Sequence, residues 1–358
     1  MAKSEDSILT RMGDGQRISM PVQEVEQELL EGTQDAAKKA GIPELTADEL
    51  QQMLEIFAEP GRIVSVPHGK EIVVTDDGCA KIFSAGPADG GAVLPISRQN
   101  SVLAYERGFA PDSVSFGHED YSFKPAKSVI DYESQVCYSL SLATTVPCFY
   151  GSQPNLGLYF RPDGPHPNPA DLLPQGDIDG AKEAQEQAAE QMRDDMVFCG
   201  GKLAELGCEG INFDTAASAG DADFYATLMA VSELKEKYPA MSIEVGMSGE
   251  FVLGMHGGIT FEGKRLAGMF PLEQAETLEA AGCDIFGPAI NVNCSKTIPW
   301  NLARAVTMVK HVSENSKLPV HPNVGMGVCG VPMCLETPID SVTRAAKALA
   351  LIGKADGL

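Results

Sequence analysis

From about residue 113 onward, short β-branched or aromatic runs alternate with longer stretches of helical periodicity. This rhythm constrains the fold more than any other feature of the chain. The runs are Ser113–Gly117, Pro147–Gly151, Gly210–Thr215, Ser242–Met247, Asp284–Asn291 and Val320–Met326. Helical patterns occupy about 128–143, 179–206, 221–237, 271–281, 299–314 and 339–352. A helix-sized connection between strands favours parallel pairing, because a tight turn can only return a strand antiparallel. Six such units predict a closed (β/α)8 barrel or a long doubly wound sheet. No glycine-rich dinucleotide turn follows the first strand, and the repeat is regular, so the expected fold is α/β with a TIM-type (β/α)8 barrel.

The unit count falls short of eight. Ala281-Gly282-Cys283-Asp284-Ile285 and Leu206-Gly207-Cys208-Glu209-Gly210-Ile211 each end a helix at Gly and start a strand. The same signal recurs at Ile352-Gly353-Lys354-Ala355-Asp356-Gly357-Leu358, where the sequence stops. An open parallel sheet exposes unpaired backbone groups. The expectation is therefore an incomplete barrel of about six and a half units.

The first hundred residues read differently. Residues 1–60 read as helical: apolar spacing recurs over Val22–Leu30 and Leu45–Phe57, with Thr46-Ala47-Asp48-Glu49 as a capping signal and Pro60-Gly61 as a stop. Ile63, Val64 and Val66, then Ile72–Val74, then Ile82 and Phe83 alternate around Gly69 and Asp77-Gly78, predicting a small antiparallel β-element. Residues 85–100 read as a Gly/Pro-rich loop. The expected organisation is a helical and β extension over 1–100 and the barrel over 101–358.

Charge and cysteine usage narrow the function. The chain carries 27 Lys+Arg against 50 Asp+Glu, a net charge of −23. That balance argues against binding nucleic acid or an anionic membrane, either of which needs a positive face. No stretch approaches the roughly 18 apolar residues that span a bilayer, and the N-terminus has no apolar signal core. Nine scattered Cys with no C-x-x-C fit reduced thiols in a cytoplasm.

In a barrel, polar residues at the C-terminal ends of strands face the active site. Here these are Asp214, Glu244, Glu250 in the loop after it, Asn291, Asn293, His321 and Asn323. Carboxylates facing one pocket can bind a cation, hold a metal, or act as acid and base; Asp214 and Asn293 can equally cap the following helices. The six His show no H-x-x-x-H pair, so no metal site is expected. His118-Glu119-Asp120 reads as a solvated loop. Gly325-Met326-Gly327-Val328-Cys329-Gly330 matches G-x-G-x-x-G, but Pro332 and Pro338 break any helix after it, so a loop over the barrel mouth is expected, not a dinucleotide site.

Several longer motifs carry a family resemblance. They include Arg11-Met12-Gly13-Asp14-Gly15, Tyr121-Ser122-Phe123-Lys124-Pro125, Asn155-Leu156-Gly157-Leu158-Tyr159 and Pro162-Asp163-Gly164-Pro165. Asn212-Phe213-Asp214-Thr215 with Ala219-Gly220-Asp221, Leu253-Gly254-Met255-His256-Gly257, and Trp300-Asn301-Leu302-Ala303-Arg304-Ala305-Val306-Thr307 continue the pattern. From about residue 9 to 358 the chain resembles the dimethylamine:corrinoid methyltransferases of methylotrophic methanogens and some anaerobic bacteria.

The resemblance implies a barrel enzyme that moves a methyl group from dimethylamine to the Co(I) corrinoid of a cognate corrinoid protein, leaving monomethylamine, in methanogenesis or methylamine catabolism. It implies an in-chain pyrrolysine just after Leu358, read through an amber codon. No cofactor is then bound directly, since the corrinoid belongs to the partner, and a homo-oligomer is expected. Asp214, Glu244 and Glu250 are assigned to charge stabilisation and proton transfer. Asn291, Asn293, His321 and Asn323 are assigned to substrate orientation. Both sets rest on strand-end position. The alternatives are another barrel enzyme using the same acids as a lyase or isomerase, and an inactive truncated product. At roughly 32 to 42 residues per unit, closure needs roughly 60 to 90 residues more. The codon after Leu358 tests this: an amber codon with an open frame beyond is expected, and an ochre or opal stop overturns it.

Overall fold

The computed structural model describes residues 7–72, 81–83, 93–95, 149–151, 156–324, 327–334 and 337–358. The sequence units at 113–117 and 128–143, and the His118-Glu119-Asp120 cluster, lie outside the described residues. The chain is mixed α/β, with eight α-helices and several small sheets among the described residues, and these sheets do not close into a barrel.

The N-terminal part opens on an antiparallel hairpin, β1 (Ser7–Arg11) and β2 (Arg17–Pro21), followed by α1 (Val22–Ala40) and α2 (Ala47–Ala58). The hairpin replaces part of the helical reading of residues 1–60. Its turn, Met12–Gly15, is too short and polar to give a periodic signal. The capping signal is real: Thr46 and Glu49 exchange side chain-to-backbone bonds at the start of α2. The antiparallel β-element exists, but β3 (Lys81–Phe83) pairs with β4 (Val93–Pro95), inside the segment read as loop. Residues 63–66 form no strand. Val64 and Val66 are buried without one, so their alternation reported burial and not β-pairing.

The following part builds one parallel sheet. Its elements are β5 (Phe149–Gly151), α3 (Pro169–Leu172), α4 (Ile178–Glu205), β6 (Gly210–Ala216), α5 (Asp221–Lys237), β7 (Ser242–Met247), the small hairpin β8 (Thr260–Phe261) and β9 (Lys264–Arg265), α6 (Pro271–Ala281), β10 (Ile285–Gly287), α7 (Ile298–Asn315) and α8 (Ile339–Leu351). The order β5-β6-β7-β10 follows the sequence, and every pair is parallel. Val320 continues it through a parallel bridge to Phe286. Asp356 lies beside Val320 in turn, its N–H donating to the Val320 carbonyl at 2.9 Å and its Oδ2 accepting the Val320 N–H at 2.8 Å. The runs read as strands over 284–291 and 320–326 are shorter than expected, because the backbone leaves the ladder after Gly287 and Val320 to form loops.

Register divides the sheet into two faces. Phe213, Val245, Phe286 and Val320 form one fully buried row. Ile211 shares their face and reaches toward α4, where a Cβ added at Gly200 would sit 3.4 Å from the Ile211 side chain. The opposite face, turned from that helix, carries Asn212, Glu244 and Ile285 in one row. Burial also fixes the thiols nearby: it pushes Cys283 and Cys329 up to about 12, so both stay protonated and inert.

The N-terminal helices pack on α7. Gly32 lets α1 approach so closely that any Cβ there would overlap the Trp300 carbonyl. Beside it Thr33 Oγ1 accepts the Leu45 N–H at 2.8 Å and meets Thr307 Oγ1 at 2.9 Å. Glu49 pairs with Lys310 at 2.7 Å. The hairpin is fastened to α8 by Arg11, whose guanidinium donates to both oxygens of Asp340 at 2.9 to 3.1 Å.

Burial pushes the Asp340 carboxyl up, but the Arg11 guanidinium outweighs it and holds the group below the usual carboxylate range. A lowered native pKa means the contact stabilises above the unfolded value, about 3.9, and is lost as pH falls through the native one. Arg11→Ala should therefore lower Tm at pH 7, and its difference from wild type should shrink below about pH 3.9, as thermal melts across pH will read.

Candidate functional site

The face bearing Asn212 and Glu244 gathers polar groups toward the C-terminal end of the sheet. Glu244 and His321 are both buried, and His321 Nδ1 lies 2.8 Å from Glu244 Oε1. They are not on adjacent strands. The His321 N–H donates to the Phe286 carbonyl at 2.8 Å, which sets His321 beside Gly287, and Gly287 in turn pairs with Gly246 on β7. The imidazole must therefore cross β10 to reach β7, a span of about two strand spacings, or roughly 9.6 Å between backbones. Gly287 makes the crossing possible. A Cβ there would stand 3.0 Å from the Gly246 Cα and 3.2 Å from the His321 carbonyl oxygen.

Asp214 joins the group from β6. A Cβ at Gly246 would meet its Oδ1 at 2.6 Å, so this carboxylate lies over the glycine. Its Oδ1 also accepts the Thr215 N–H at 2.7 Å. Immediately beyond, Thr215 and Ala217 take left-handed φ of 61° and 63°, and the register with β7 shifts between Phe213 and Ala216. Non-glycine residues adopt such angles only where their surroundings over-determine them. Asp223 supplies that constraint. Buried in the first turn of α5, it accepts the Ala217 N–H at 3.1 Å, the Ala219 N–H at 3.0 Å and the Ser218 hydroxyl at 3.1 Å.

Glu250 sits apart from the Glu244–His321 pair. Its two oxygens accept from Arg304 Nη1 at 2.6 Å and Nη2 at 2.5 Å, and both side chains are buried. Arg304 Nε donates to Asp35 of α1 at 2.7 Å, and Nη1 also reaches the Asn291 carbonyl at 3.3 Å. Burial disfavours the charge on Arg304, but Glu250 and Asp35 outweigh it and raise its pKa. Glu250 and Asn291 are thus brought together through one guanidinium.

The remaining expected residues separate in place. Asn291 is exposed and bridges antiparallel to Val328, which lays the 327–329 stretch of the glycine-rich motif against the loop after β10. Among the described residues of this stretch, 327–334, no helix opens. Asn293 is exposed; its Oδ1 accepts the Ser295 N–H at 2.9 Å in a local turn, and its backbone is gripped on both sides by Asn301. Asn323 is partly buried, two residues beyond His321.

Some site-shaping residues are missing from the strand-end assignment. Asn212 is one, and it could have been found from parity, since it shares a face with Asp214 two residues on. Arg304 is another: a lone charge on the apolar run Leu302–Val306, which signals a buried partner. A third is the hairpin turn. The Gly13 N–H donates to the Lys296 carbonyl at 2.7 Å and the Gly13 carbonyl accepts from Met333 at 2.8 Å, wedging the N-terminus between two loops at this end of the sheet. Nothing near Gly13 announces a partner so distant in sequence.

Among the described residues, no group of His, Cys, Asp and Glu is arranged to hold a metal ion, and no helix is long and apolar enough to cross a membrane. A family model described as dimethylamine methyltransferase (Dimeth_PyL) matches residues 6–358. The chain belongs to the dimethylamine methyltransferase family. It is accordingly an enzyme, a methyltransferase, and the polar face just described lies within the matched span. No solved structure matches the chain.

The Arg304 cluster yields a stability prediction. Glu250→Gln leaves the buried guanidinium with Asp35 as its remaining carboxylate. Breaking a buried pair from one side costs about 3 kcal/mol, so urea titration should show unfolding free energy reduced by about that amount.

Proposed function

We propose that this chain transfers a methyl group from dimethylamine to the Co(I) corrinoid of a separate corrinoid protein and releases monomethylamine, in methanogenesis or another route of methylamine catabolism. The observation that carries the reading is the family match across residues 6–358, with the buried Glu244–His321 pair inside it. The full fold in this reading is a TIM-type barrel, with residues 1–100 as an extension. It is supported by the four-stranded parallel sheet β5-β6-β7-β10, which a parallel bridge extends to Val320 and hydrogen bonds extend from Val320 to Asp356, all in sequence order. The enzyme works in the cytoplasm as a homo-oligomer, with the corrinoid carried by the partner.

An amine leaves poorly unless its nitrogen is protonated and held in line with the nucleophile. Glu244 and His321 can hold one proton between ring and carboxylate, and pass it to or from the substrate nitrogen. Asp214, held over Gly246, adds negative charge on the same face for a cationic amine. Glu250 acts through Arg304, keeping the loops after β7 and β10 together, while Asn291, Asn293 and Asn323 shape the mouth.

Pyrrolysine, which the resemblance puts directly after Leu358, would supply an electrophilic ring for capturing the amine. What supports this is local: the Asp356 and Gly357 N–H groups both donate to the Val320 carbonyl, and His321, one residue on from Val320, and Glu244 would be the residues to hold such a group.

Glu244→Gln in the full-length, pyrrolysine-containing enzyme should lower methyl transfer from dimethylamine to Co(I) corrinoid by about 10²- to 10⁴-fold. The assay follows the corrinoid spectrum. A rate within a factor of two of wild type would remove the pair from the mechanism.

A further inference from the structure

We infer that Asn212 is a specificity-determining residue that accepts the second N–H of a dimethylammonium ion held at Glu244. The inference rests on the proposed methyltransferase reading and names a residue of that same site.

Asn212 and Glu244 are register partners on adjacent parallel strands, so their side chains leave the same face of the sheet. Asn212 Oδ1 is buried, and it has no hydrogen-bond partner among the described residues. A buried acceptor without a donor is a standing cost to the fold, because its water has been removed and nothing replaces it. Such an atom makes sense where a donor arrives with a ligand. Its neighbours on the face narrow the ligand's charge: Glu244 stands across the register and Asp214 two residues along the same strand, so the donor belongs to a cation. The amide is neutral, so it adds a directed acceptor without adding charge.

Counting donors gives the selectivity. Dimethylammonium carries two N–H groups, trimethylammonium one and methylammonium three. A carboxylate at Glu244 and an amide at Asn212 offer two acceptors from two strands. Dimethylammonium satisfies both. Trimethylammonium satisfies one and presses a methyl against the other, leaving Oδ1 as unpaired as it is without ligand.

The test is calorimetric binding of dimethylammonium and trimethylammonium chlorides to the full-length, pyrrolysine-containing enzyme without its corrinoid partner, alongside thermal melts. Asn212→Leu, close in size, should bind dimethylammonium about tenfold more weakly. It should bind trimethylammonium as wild type does and melt no lower, since it removes an unpaired buried acceptor. Asn212→Asp keeps an oxygen at the position and should retain dimethylammonium binding, which guards against misfolding of the leucine variant. Wild-type binding of dimethylammonium by Asn212→Leu would overturn this assignment and leave the methyltransferase reading standing. A full-length, pyrrolysine-containing wild-type enzyme that binds neither amine would overturn both.

Discussion

A guanidinium buried between two layers of the chain is the contact on which the arrangement of the site depends. Arg304 projects from α7 and meets Glu250 of the loop after β7, the Asn291 carbonyl of the loop after β10, and Asp35 of the N-terminal helix α1. Each partner belongs to a different segment. A charge taken out of water demands compensation, and only these three segments in one relative position provide it. The N-terminal helices are therefore not an independent appendage. Gly32 against Trp300 and Thr33 against Thr307 bring α1 close enough for Asp35 to complete the guanidinium's contacts.

With the loops fixed, the sheet supplies the chemistry. One face is a continuous apolar row that holds the core, and the other is free to carry Asn212, Asp214, Glu244 and His321. Glycine decides how these reach one another. Gly246 and Gly287 have no side chains, so Asp214 can lie across β7 and His321 can cross β10. The left-handed turn at Thr215 and Ala217, fixed by Asp223, ends β6 at the level where Asp214 meets that glycine.

The sequence alone located much of this. The helices over 221–237 and 271–281 and the strand at 242–247 fall where the periodicity puts them, since each is long enough for its pattern to be read. Short elements were not legible. The hairpin at 7–21 has five-residue strands of mixed burial, and β10 keeps only three residues in the ladder. Strand-end reasoning named Asp214, Glu244 and His321, which the fold assembles on one face. It grouped Glu250 with them, although that carboxylate is committed to an arginine 54 residues away.

What the sequence determined by itself is the local order: which segments coil, which extend, and the family they belong to. These depend on near neighbours, because periodicity, caps and turn residues act over one or two turns of chain. What only the tertiary structure decided is which polar groups meet. The pairing of Glu244 with His321, of Glu250 with Arg304, and of Gly13 with Lys296 and Met333 spans from 54 to 320 residues of sequence. No local rule encodes such distances. They follow from strand register, from glycines that clear a path, and from the cost of leaving a buried charge unpaired.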